Sequence, residues 1–163
     1  YGDEIGMKYQ SLKSKEGGYE RTGSRTPMQW CAGKNLGFSD TEGELYLPVE
    51  ENDQAPTVAL QEMQQDSLLQ ITKELIALRK NPEYKETVVY GEMIPYLEEQ
   101  HNLMSYYRKG DKTLLVLGNF QKEPQTVKLP STCRKVLLNN YPELNISDDS
   151  VILDNYQAVV IEL

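Results

Sequence analysis

Residues 106–117 read "YYRKGDKTLLVL". Bulky apolar and aromatic residues flank the polar run "KGDK", with a glycine where the chain must reverse. The pattern predicts a β-hairpin with Gly110 in its turn. The second arm, "TLLVL", does not alternate between apolar and polar. A strand with one wet face alternates, so this one is predicted to be a central strand covered on both faces. Similar short segments surround it: "TVVYGEMI" from Thr87, "NLMSYYRK" from Asn102, "QTVKL" from Gln125, "RKVLLNN" from Arg134, "SVIL" from Ser150 and "QAVVIEL" from Gln157. The turn-forming stretches "QKEP", "LPST" and "DNY" separate them. Strands so closely spaced predict an antiparallel β-sandwich of Greek-key type.

The chain before Tyr84 reads differently. In "DSLLQITKELIALRKNP" Leu68, Ile71, Leu75 and Leu78 recur at three- and four-residue steps, and Leu69 and Ile76 widen the stripe. This predicts a helix with a core-facing apolar band. Ser67 and Gln70 have capping-box spacing. Arg79 and Lys80 suit the negative end of the helix dipole, and Pro82 ends the helix. "TVALQEMQQ" just upstream predicts a shorter helix. From Tyr1 to about Pro56 the reading is loop, with "KEGG", "AGKN" and "DTEG" as turn signals. A loop of that length is unusual inside a compact domain and is usually functional. The oddest part of it is "RTPMQW", residues 25–30, which holds the chain's one tryptophan beside an arginine, with Arg21 four positions upstream.

Composition narrows the function. The chain has 163 residues, 25 acidic and 17 basic, for a formal charge of −8. That charge argues against a nucleic-acid partner, which needs a basic surface. No apolar run is long enough to cross a bilayer, so no membrane partner is expected. Two distant cysteines, Cys31 and Cys133, read as reduced thiols and a cytoplasmic location. His101 is the one histidine, so no metal-ligand spacing is present and no metal or cofactor is expected. The chain opens "YGDEIG" with neither an initiator methionine nor a signal peptide, which reads as a processed segment or as a start inside a larger protein.

The ordered series "YGDEIGM" (1–7), "RTPMQW" (25–30), "GFS" (37–39), "LPV" (47–49) and "DSLL…LIALRK" (66–80) resembles the C-terminal part of glycoside hydrolase family 13, the α-amylase superfamily. The likeness is to its α-glucosidase, oligo-1,6-glucosidase and trehalose synthase branch. The resemblance implies a mainly β chain. Residues 1–85 would be the end of a (β/α)8 barrel: the end of strand eight, a long loop and helix eight, with one or two helices in all. Residues 86–163 would be the C-terminal antiparallel β-domain. A barrel needs roughly 250 residues, so it does not fit in this chain.

The resemblance also implies a parent enzyme that acts on α-linked gluco-oligosaccharides by a retaining two-carboxylate mechanism. Its nucleophile, acid/base and stabilising carboxylate would lie on earlier strands, so this chain has no catalytic residues and is expected to be inactive alone. Arg21 and Arg25 would bind substrate in the intact enzyme. A guanidinium offers fork-shaped donors that suit hydroxyls and a carboxylate. Pro27, Met28 and Trp30 would fill the space between loop and barrel, and the unpartnered helix face would drive self-association of the chain. Two positions depart from the family pattern: Cys31 stands where an acidic residue is usual, and Tyr46 where "WLPV" has tryptophan. Two other readings remain: a fragment of a trehalose synthase, and a free-standing carbohydrate-binding β-domain. Tyr84, Tyr90, Tyr96, Tyr106 and Tyr107 also suit strands, where tyrosine is common.

Overall fold

The computed structural model describes residues 1–14 and 21–163. They form two units, Tyr1–Thr72 and Lys73–Leu163. The "KEGG" turn signal lies outside the described residues.

The first unit is mostly irregular. Its 3-10 turns are Asp3–Ile5, Thr22–Ser24 and Lys34–Gly37, and its short helix α1 is Val58–Glu62. Residues 3–5, expected at a strand end, turn instead of extending. Gly2 and Gly6 bracket that turn at φ 76° and 69°, which bends the chain out of the extended region. Thr57 caps α1: its Oγ1 accepts from the Leu60 N–H at 3.2 Å. A small core joins Ile5, Met28 and Leu69, with Met7 and Val58 packed on it.

Helix α2, Leu68–Lys80, begins in the first unit and runs into the second. Its bounds follow the sequence signals. Of the apolar band only Leu69 is buried; Leu68, Leu75 and Ile76 are exposed. The capping box is made on one side only. Ser67 Oγ accepts from the Gln70 N–H at 3.3 Å. The Ser67 N–H donates to Gln64 O and the Gln70 amide to Glu62 O, so the return bond is replaced.

The second unit is the β-domain. Strands β1 (Glu92–Pro95), β2 (Leu103–Lys109), β3 (Thr113–Asn119), β4 (Gln125–Lys128), β5 (Lys135–Asn139), β6 (Asn145–Ile146), β7 (Ser150–Leu153) and β8 (Ala158–Glu162) form two antiparallel sheets. One has the order β1-β2-β3-β8-β5, the other β4-β7-β6. Leu115 and Leu117 of β3, Val127 of β4, Val151 and Leu153 of β7, and Val159 and Ile161 of β8 meet in the core between them. Each such residue stabilises the fold by about 1.5–3 kcal/mol. The hairpin holds as read, with Lys109 opposite Thr113. The Gly110 N–H donates to Lys112 O at 3.0 Å. β3 sits in mid-sheet, and Leu114 on its other face is buried as well.

One predicted strand is half wrong. Of "TVVYGEMI" only the last three residues extend, as the start of β1 (Glu92–Pro95), and the first four belong to a π-helical turn, Glu86–Tyr90. β-Branched propensity loses here to two specific contacts. Thr87 Oγ1 accepts from the Lys112 N–H at 2.9 Å. The Arg108 guanidinium donates to Val88 O at 3.0 Å. The two-residue β6 carries too little sequence to be read in advance.

Candidate functional site

The "RTPMQW" loop is built from the backbone outward. Arg21 and Arg25 flank the turn Thr22–Ser24. Arg21 O accepts from the Ser24 N–H at 3.2 Å and from Ser24 Oγ at 2.9 Å. The Arg25 N–H donates to Thr22 O at 3.1 Å. Inside the turn, Gly23 O accepts from the Gln10 N–H at 3.0 Å. A Cβ on Gly23 would collide with the carbonyl of Gln10, so only glycine permits that approach. The segment carrying both arginines is thus pinned to residue 10.

Beyond Arg25 the chain dives into the unit. Thr26, Pro27, Met28 and Gln29 are buried. The Gln29 side-chain amide donates to Pro56 O at 2.5 Å. Gln29 O and Trp30 O accept from the Val58 and Ala59 N–H groups at 3.0 and 2.9 Å. Those donors belong to the first turn of α1 and have no partner inside the helix. The loop therefore serves as an N-terminal cap for α1. Gln61 of α1 makes the next link: its amide donates to Ile5 O at 2.8 Å and its Oε1 accepts from the Leu69 N–H at 3.0 Å.

Trp30 does not fill this interior, since its ring is 50% exposed and only its backbone anchors the loop. Pro27 and Met28 are buried within the unit. Arg21 and Arg25 are both exposed. A cavity of about 160 Å³ is lined by Arg25 with Tyr1, Pro27, Phe38, Tyr46 and Leu47; Arg21 does not line it. Sequence reasoning missed Gln29, Gln61 and Gly23. The available signal was a glutamine set between methionine and tryptophan, since a polar side chain among bulk must find partners.

Among the described residues no group of three or more His, Cys, Asp or Glu side chains could hold a metal ion. Among the described residues no helix is long and apolar enough to cross a membrane.

The second unit holds an ionic cluster built on the buried Glu162 and Tyr84. Tyr84 Oη donates to Glu162 Oε2 at 2.9 Å, and Lys112 Nζ bridges Glu162 and Glu83 at 3.2 and 3.1 Å. Lys112 and Lys135 also lie over the Tyr84 ring, 5.5 and 5.6 Å from its centre. Burial, then the bond to Glu162, pushes the Tyr84 hydroxyl up to about 12. The Tyr84 bond, with Lys112 beside it, holds the Glu162 carboxyl below its ordinary value. The cluster joins the segment after α2 to the β2–β3 turn and to β8. Its hydrogen bonds and ion pairs make it a fastening of the domain.

Residues 1–91 match the α-amylase catalytic-domain family, and residues 103–160 match the C-terminal domain of the α-amylase SusG. The chain belongs to the α-amylase family, glycoside hydrolase family 13. Within this family, the oligo-1,6-glucosidase of Bacillus cereus is 34% identical over 99% of this chain, which spans 28% of that protein. The structure of a trehalose-6-phosphate hydrolase from Bacillus licheniformis matches 99% of this chain and 34% of its own, at 27% identity and a TM-score of 0.82. An isomaltulose synthase from Klebsiella sp. LX3 matches 87% of this chain and 25% of its own, at 27% identity and a TM-score of 0.77. The chain thus spans about a quarter of the curated relatives it matches. The α-amylase-family assignment agrees with the motif series from "YGDEIGM" to "LIALRK" and with the antiparallel β-domain.

Proposed function

We propose that the chain is the C-terminal part of a retaining α-glucosidase-type enzyme acting on α-linked gluco-oligosaccharides, and that it is inactive by itself. Residues 1–85 close the barrel and carry its last loop, and residues 86–163 form the β-domain that supports it. Arg21 and Arg25 bind the substrate, and the parent enzyme is cytoplasmic. The observation that carries this reading is the tandem match: a catalytic-domain family over residues 1–91, then a C-terminal-domain family over 103–160. The supporting observation is the pinned loop, which carries two exposed arginines on a fixed backbone.

Reading the gene upstream of Tyr1 is the first test, and an upstream barrel with three carboxylates is expected. The second is release of nitrophenol from an α-glucoside. The longer enzyme is expected to turn it over, and the 163-residue chain is expected to match the buffer blank. Turnover by the purified chain would overturn the reading. A second reading is an isomerase, favoured by the isomaltulose synthase likeness. Product analysis separates the two, because an isomerase returns a rearranged disaccharide where a hydrolase returns glucose.

The exposed face of α2 leads us to infer self-association of the isolated chain. Leu68, Leu75 and Ile76 stand in water together, an arrangement that favours association. Light scattering is expected to give a mass above the monomer's 18.7 kDa. The double variant Leu75→Glu, Ile76→Glu is expected to return it to monomer, and a monomeric wild type would refute the inference.

A further inference from the structure

Helix α2 does not hand over to a free loop at Lys80. The Asn81 N–H donates to Leu78 O at 3.2 Å, and Asn81 O accepts from the Tyr84 and Lys85 N–H groups at 3.0 and 2.8 Å. The Val88 N–H donates to Tyr84 O at 2.8 Å, which carries the chain into the π-helical turn Glu86–Tyr90. The β2–β3 hairpin fixes that turn from the other side through Thr87 and Arg108. A Cβ on Gly91 would collide with the Thr87 and Lys109 carbonyls, so the end of the turn lies directly on β2. π-Helical turns are rare and occur frequently at functional sites.

Between the last turns of α2 and this fixed turn lies a groove of about 310 Å³. Ile76, Arg79 and Lys80 line it from α2, with Lys85 and Val89 opposite. All five belong to the second unit. Three cations thus share one concave surface in a chain whose formal charge is −8. Among the described residues none of the three pairs with a carboxylate. Glu83 and Glu86, which flank Lys85 in sequence, do not line the groove, and Glu83 is held by Lys112 at 3.1 Å. The C-terminal end of α2 supplies roughly half a negative charge, too little to neutralise three cations. The groove is therefore positive, with two aliphatic side chains in its wall.

We propose that this groove binds a small phosphomonoester, with Arg79, Lys80 and Lys85 on the phosphoryl oxygens and Ile76 and Val89 against the apolar part of the ester. The charge selects the class. A phosphomonoester carries between one and two negative charges and three acceptor oxygens, which three cations match better than they match a carboxylate. The Arg79 guanidinium takes two of those oxygens in its planar fork, and the two ammonium groups act as point charges. A groove whose backbone walls are already fixed loses little freedom on binding. The site uses neither the Arg21–Arg25 loop nor the barrel, so it stands apart from the function proposed above.

The test is calorimetric titration of the 163-residue chain with phenyl phosphate, and with inorganic phosphate, at low salt. Saturable one-to-one binding of phenyl phosphate is expected, weaker binding of inorganic phosphate, and a loss of affinity as salt is raised. Arg79→Gln is expected to weaken binding roughly tenfold, and the triple variant Arg79→Gln, Lys80→Gln, Lys85→Gln to abolish it. All three side chains are exposed and glutamine is a good helix former, so the variants keep the fold. Lys122→Gln, which removes an exposed cation elsewhere, is expected to leave the affinity unchanged. A chain that gives no saturable binding, or a triple variant that binds like wild type, overturns the proposal. The longer enzyme is expected to bind phenyl phosphate in the same Arg79-dependent way. If it does not, an upstream segment fills the groove and the proposal fails. The titration reads binding alone, so its failure is distinguishable from failure of the parent enzyme to act on α-glucosides.

Discussion

In the intact enzyme, Arg21→Ala is expected to lower kcat/KM about ten- to a few hundredfold, far more than it lowers stability. The stability half of the expectation comes from geometry. Arg21 is exposed, and the turn it begins uses its carbonyl, an atom alanine keeps. The activity half comes from the proposed contact. A charge-assisted hydrogen bond is worth roughly 1.5–3 kcal/mol, and its loss in the transition state gives that range of rates. Arg21→Lys is expected to recover little, since an ammonium lacks the planar fork. Steady-state kinetics beside thermal melts make the measurement. A kcat/KM within about twofold of wild type would remove Arg21 from the substrate site.

Glu162→Ala is expected to destabilise the chain by about 2–4 kcal/mol at neutral pH, less than a fully buried pair because Lys112 is partly exposed. For a unit of this size that lowers the melting temperature by about 10–20 °C. The substitution strands the buried Tyr84 hydroxyl and takes one of two carboxylates from Lys112. The effect has a pH signature. Because Glu162 titrates below its ordinary range when folded, its contribution is complete above the unfolded value near 4.3 and is lost as pH falls through the folded value. Tyr84 has the opposite sense. Its folded value is raised to about 12, so its contribution is complete below pH 10 and fades as pH climbs toward 12. Melts across pH are therefore expected to show wild type and variant converging in acid. A constant gap from neutral to pH 3 would refute the role given to the carboxylate.

The β-domain was largely legible because its strands carry their own evidence. "TLLVL" is apolar on both faces because both faces are covered, and Gly110 marks the turn. The strand reading failed at Thr87–Tyr90, where one threonine hydroxyl and one arginine from distant positions outweigh local β propensity. The loop was legible as unusual but not as a mechanism. Its anchors are two glutamine amides and a pair of carbonyls, and backbone carbonyls leave no trace in a sequence. The apolar band of α2 was read both as a pattern and as a face without its partner, and Leu68, Leu75 and Ile76 are exposed, since periodicity states that a face is apolar, not what meets it. Arg21 and Arg25 entered only through resemblance, because an exposed loop arginine has no signature of its own.

The place of β8 bears on how the protein is made. The last strand in sequence lies inside the five-stranded sheet, between β3 and β5, and supplies Val159, Ile161 and Glu162. While a ribosome is still holding residues 158–162, β3 lacks one neighbour and β5 has none in that sheet. Two bare strand edges then wait for the final segment, the condition under which nascent chains pair with one another. Synthesis of this domain thus has a vulnerable interval that closes only when β8 emerges and slots into the gap.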